Sequence, residues 1–146
     1  PRAPSGNARF NPNIGWLFDD PTETAKGYYR RTGVFPIMHV VGVRKTLVEQ
    51  HPWLPGTLLK AFEQSKLAAL EKRSDTSATK VTLPFVEEQL KAARDTLGAD
   101  YWAYGVEKSL PTLEAFTRHH HAQGLSERQV GVSELFHPST YESYKI

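Results

Sequence analysis

The run Ile37-Met38-His39-Val40-Val41-Gly42-Val43 constrains the fold of this chain more than any other stretch. Its β-branched and apolar residues fall on both parities, the pattern of a strand covered on both faces. It is the one strongly strand-like segment among several helical ones. A single strand cannot satisfy its own backbone donors and acceptors, so its partners have to be supplied from elsewhere. The run also holds a titratable ring, His39, and two arginines, Arg30 and Arg31, stand just before it. Two readings follow from the residues. His39 is a structural histidine bonded to the backbone, or it lines a site fed by those arginines.

The flanking segments read as helices and loops. Residues 1–15 are rich in Pro, Gly and Asn and predict an irregular start. Asp20-Pro21 is a helix-start signal, a capping acid before proline at the first helical position, and Gly33 stops that helix. For Asp19-Asp20 the capping role is preferred to a catalytic pair of carboxylates. Residues 45–50 predict a helical turn ending before Pro52. Longer helices are predicted from Pro55 to about Arg73, from Pro84 to about Leu97, and from Pro111 to about Gln123. Gly98 and Gly124 act as stops. A short helical turn is expected at residues 133–136, and no internal repeat is visible.

Composition narrows the function classes. A chain of 146 residues suffices for one domain with a core. The formal charge of +2 arises from dispersed basic residues, which gives no case for nucleic acid or an anionic membrane surface. No apolar run approaches the roughly 20 residues that span a bilayer. The absence of cysteine excludes disulfides and thiol nucleophiles, and fits a cytoplasmic protein. The sequence starts at Pro1 without signal-peptide features, as a processed product or a piece of a longer chain would.

Few residues carry a chemical signature. His119-His120-His121 does not read as a metal site, because consecutive helical residues point about 100° apart and do not converge. His120 continues the Leu113/Phe116 stripe and is expected to pack. The loop Tyr101-Trp102-Ala103-Tyr104-Gly105 supplies aromatics that either plug a core or wall a pocket for a flat ligand. Arg2 and Ser5 offer a guanidinium and a hydroxyl near the start. Arginine suits a carboxylate, since its planar fork donates two parallel hydrogen bonds.

The motifs YYRRTGVFPIMHVVGVRK, HPWL, AFEQSK, TLPFVEEQL, DYWAYGVE, PTLEAF, AQGLS and ELFHPSTYESYKI occur in that order along nearly the whole chain. Together they resemble the C-terminal half of the 4,5-dihydroxyphthalate decarboxylase family. The sequence departs from the common family pattern at Phe85, Ala103 and Ser109-Leu110. The resemblance implies an α/β architecture, the C-terminal part of a two-lobed type II periplasmic-binding-protein-like fold, helix-rich in this portion. Residues 1–36 would then end the second lobe and form the crossover, and residues 37–146 would be the C-terminal part of the first lobe. The N-terminal half of the same protein would supply the strand partners.

The implied reaction is non-oxidative decarboxylation of 4,5-dihydroxyphthalate to 3,4-dihydroxybenzoate, a carboxy-lyase activity of aromatic catabolism. His39 would be the proton donor. Arg2, Ser5, Arg30 and Arg31 would bind carboxylate, and Trp102 and Tyr104 would wall the ring. No organic cofactor is expected, no metal ligand is assigned, and a metal requirement is left open. The expected partners are a small aromatic carboxylate and the N-terminal half, with no nucleic acid and no membrane, and a homo-oligomer is allowed. The alternative reading is a solute-binding protein of the same fold that holds a small aromatic or carboxylate ligand without chemistry.

Overall fold

The computed structural model describes residues 15–75 and 82–141. Among these residues six α-helices follow one another: α1 Pro21–Thr32, α2 Lys45–Gln50, α3 Leu54–Ser74, α4 Val86–Leu97, α5 Val106–Ala122 and α6 Val132–Leu135. A 3-10 turn over Pro138–Thr140 closes the series. Among the described residues no helix is long and apolar enough to cross a membrane.

The local signals act largely as physics requires. Asp20 accepts the Glu23 N–H at 2.9 Å, and Pro21 occupies the first turn, where its missing donor costs nothing. Gly33 adopts a left-handed φ of 67° and donates to Tyr29 O, ending α1 at the expected stop. Gly98, with φ 91°, closes α4 in the same manner by donating to Arg94 O. The start of α5 differs from expectation. It begins at Val106 after Gly105, and Pro111 lies inside it. Proline marks a first turn by default, but only one intrahelical bond is forfeited here, and the helix continues through it.

The strand expected at Ile37–Val43 does not form. Residues 33–44 carry no helix and no strand assignment, and the described residues contain no strand at all. The reason is the one anticipated from the sequence: a ladder needs a second strand. One side chain does what such a partner would do at a single position. Thr112 Oγ1, on α5, accepts from Phe35 N–H and donates to Phe35 C=O, each at 3.1 Å. Beyond that anchor the run is open, with Met38 and Val40 each 71% exposed.

Packing is shared unevenly. Among the described residues the buried hydrophobic side chains are Val106, Leu113 and Ala115, all on α5. The helix α5 packs on α6, α2 packs on α3, and the start of α3 packs on the C-terminal 3-10 turn. That last approach is close. A Cβ on Gly56 would lie 3.3 Å from Ser139 O, so a residue without a side chain lets the turn settle on the helix. His137 Nδ1 meets Ser139 Oγ at 2.8 Å and holds the turn from its own N-terminal end.

Candidate functional site

Three pieces of chain converge around the aromatic loop. The crossing segment brings Phe35 to Trp102, with ring centroids 5.9 Å apart and planes at 71°, an edge-to-face pair. Gly33 passes Pro111 closely enough that an added Cβ would touch its ring at 4.0 Å. The Thr112 hydroxyl then fixes the Phe35 backbone in both hydrogen-bonding directions. Trp102 is thus one member of a small aromatic face, and it remains partly open to solvent.

The other side of the loop rests on charge. Lys66, from α3, is buried to 4% side-chain exposure. It donates to Glu63 Oε1 and to Asp100 Oδ1, each at 2.8 Å, and its ammonium lies 4.9 Å from the centre of the Tyr104 ring. Asp100 spends its second oxygen on Lys108 Nζ at 2.6 Å. Two cations and two carboxylates therefore balance. Burial opposes the charge on Lys66, but the hydrogen bonds with Asp100 and Glu63 outweigh it and raise its pKa above the ordinary lysine value. Burial likewise works against the Asp100 carboxylate. The hydrogen bonds from Lys108 and Lys66 prevail and hold its pKa below the usual range.

The residues singled out from sequence are placed as follows. Trp102 and Tyr104 share the loop, one facing Phe35 and the other under Lys66. His39 is exposed, and no hydrogen bond, ion pair or ring contact ties it to a described residue. The reading of His39 as a buried ring bonded to the backbone finds no support in the described residues. Arg30 lies 3.9 Å from Glu23, a loose pair on the exposed face of α1. Arg31 stands in the last turn of the same helix. No such contact joins Arg30 or Arg31 to His39, Trp102 or Tyr104. Arg2 and Ser5 lie outside the described residues.

His120 packs against Phe116 with the rings tilted by 44° and centroids 5.5 Å apart, as the shared stripe predicts. No group of three metal-ligating side chains gathers among the described residues. An open groove of about 680 Å³ runs elsewhere, between α5 and residues 129–133, with Leu110, Glu114, Arg118 and Tyr141 on its walls. It contains none of the sequence-predicted site residues. The aromatic loop carries the more specific geometry, because its rings and charges are fixed by several named partners.

The Lys66–Asp100–Lys108 group was not legible from the sequence. Glu63 and Lys66 stand three apart on one helix and are visible as a pair. Asp100 lies 34 residues further on, and spacing alone gives no signal for that distance.

Sequence comparison adds a relationship to this geometry. The chain resembles a curated decarboxylase over its whole length. In particular, it is similar to 4,5-dihydroxyphthalate decarboxylase from Comamonas testosteroni, with 55% identity over all 146 residues. The match covers 44% of that protein and falls on its C-terminal part, so the chain spans less than half the length of this curated relative. The resemblance read from the motifs is thereby borne out across the whole chain. No family model matches it.

Proposed function

We propose that this chain is the C-terminal portion of a non-oxidative aromatic-acid decarboxylase acting on 4,5-dihydroxyphthalate. The observation that carries this reading is the 55% identity over all 146 residues to a protein bearing that name. The edge-to-face pair of Phe35 and Trp102 and the exposed His39 are in keeping with it.

The substrate sets the chemistry. Each ring carboxylate lies para to a hydroxyl. Loss of that hydroxyl's proton pushes electron density onto the carbon that bears the carboxylate. A general acid protonates this carbon, the carbon–carboxyl bond breaks, and its electron pair restores the ring and the phenolate as carbon dioxide departs; the phenolate then takes back the proton it lost at the start. One proton enters, one carbon dioxide leaves, and 3,4-dihydroxybenzoate remains. No electron is gained or lost. His39 suits the acid, since an imidazole is the side chain most often used as a general acid. Arg30 and Arg31 suit the second carboxylate. Trp102 offers a flat apolar wall. The type II periplasmic-binding-protein-like architecture, with partner strands for residues 37–43 drawn from the N-terminal half, belongs to the same proposal, as does a cytoplasmic setting.

The test is a steady-state assay of the full-length protein with 4,5-dihydroxyphthalate. The expected result is release of carbon dioxide with formation of 3,4-dihydroxybenzoate. Tight binding of the dicarboxylate with no product would replace the enzyme by a solute-binding protein.

A further inference from the structure

The loop Tyr101–Gly105 is held at both feet by one buried ammonium. Asp100, at its entry, receives a hydrogen bond from Lys66 at 2.8 Å, and Tyr104, near its exit, presents its ring to the same nitrogen at 4.9 Å. An ammonium has three donors, and Glu63, Asp100 and the Tyr104 face are three partners for them. Trp102 stands midway between these feet and meets Phe35 edge-on. Lys108 ties the far oxygen of Asp100 to α5, so the entry foot is braced from two helices. With Gly98 and Gly105 both at positive φ, the turn on either side depends on residues that tolerate that backbone, and the side-chain clamp sets the loop between them.

We propose that Lys66, acting through Asp100 and Tyr104, is a positioning residue that sets the orientation of Trp102 and thereby the flat wall of the substrate site. This rests on the decarboxylase reading above and adds a residue 36 positions away from that wall in sequence. Lys66 does not touch substrate. Its effect is carried by the placement of the loop.

The experiment uses the full-length protein labelled with 5-fluorotryptophan, the Trp102 resonance being assigned with Trp102→Phe. Lys66→Met keeps the length of the side chain and removes the charge. Asp100→Asn is the milder variant, retaining volume and some hydrogen bonding, and serves if Lys66→Met does not fold. Lys66→Arg restores both carboxylate contacts and the cation over the ring. In Lys66→Met and Asp100→Asn the Trp102 resonance is expected to shift or broaden, while those of Trp16 and Trp53 stay in place. With 4,5-dihydroxyphthalate, KM is expected to rise about tenfold with kcat changed by less than about twofold, the signature of a lost binding wall. Lys66→Arg is expected to return both readouts toward the parent. An unmoved Trp102 resonance in the folded variants overturns the proposal. So does a moved resonance with unchanged KM, or a loss of thermal stability alone. If the parent protein has no turnover while the resonance moves as expected, the decarboxylase reading fails and the clamp itself stands.

Discussion

Arg128 and Glu134 show how much a single exposed pair can fix. Arg128 donates Nη1 to Oε1 at 2.9 Å and Nη2 to Oε2 at 2.6 Å, and the Gly131 N–H adds a third bond to Oε1 at 2.8 Å. The Arg128 hydrogen bonds, followed by that of Gly131, pull the Glu134 pKa down to about 2. An unfolded Glu134 would take up its proton near the ordinary value of about 4.3. As pH falls below that value the unfolded chain binds the proton first. The stabilisation is therefore full above the ordinary value and is lost as pH falls through about 2. Protection of residues 128–135 against amide exchange, referred to the intrinsic rate at each pH, is expected to fall across that window in the parent protein. In Glu134→Gln that protection should already be low at neutral pH and change little on acidification. At the same scale, His39→Gln removes a ring with no described partner. The unfolding free energy of that variant is expected to stay within about 0.5 kcal/mol of the parent, while turnover of the full-length protein falls at least about 100-fold. Near-parental turnover would remove His39 from the chemistry.

Among the elements, the crossing segment depends on α5 for its placement. Thr112 satisfies both main-chain groups of Phe35 through one hydroxyl. Thr112→Val keeps the shape and deletes both bonds, each worth about 0.5–1.5 kcal/mol. The expected loss is about 1–2 kcal/mol, with faster amide exchange at residues 34–36 and a weakened Phe35–Trp102 contact; protection equal to the parent would contradict the anchor. This contact also marks where legibility ends. Caps, stops and amphipathic stripes are local, so Asp20, Gly33 and Gly98 disclosed their helices directly. Pro111 misled because its usual place is a first turn. Ile37–Val43 carried a true strand pattern, but strand formation requires a partner, and β-propensity measures fit to a neighbouring surface. Trp102 and Tyr104 were visible as an aromatic cluster. Their partners Phe35 and Lys66 were not, since pairs separated by 67 and 38 positions leave no periodic trace in one sequence.

For the molecule as a whole, apolar exposure is the dominant feature. Ile37, Met38, Val40 and Val41 are open on one continuous run, and Trp16, Leu17, Trp53 and Phe85 are exposed elsewhere. Scattered apolar residues are ordinary on a surface, but a contiguous β-prone run with unpaired backbone is an association hazard. Residues 1–146 alone are expected to self-associate in sedimentation velocity, whereas the full-length protein sediments as a defined species. A stable, cooperatively unfolding monomer of these residues alone would remove the need for covering sequence. The central claim is chemical, and its sharpest measurement is a single turnover of the full-length protein with 4,5-dihydroxyphthalate in deuterium oxide. The account predicts one carbon dioxide and one 3,4-dihydroxybenzoate per substrate, with a single deuterium on the ring carbon that lost its carboxylate. Recovery of bound, unchanged dicarboxylate without carbon dioxide would contradict it.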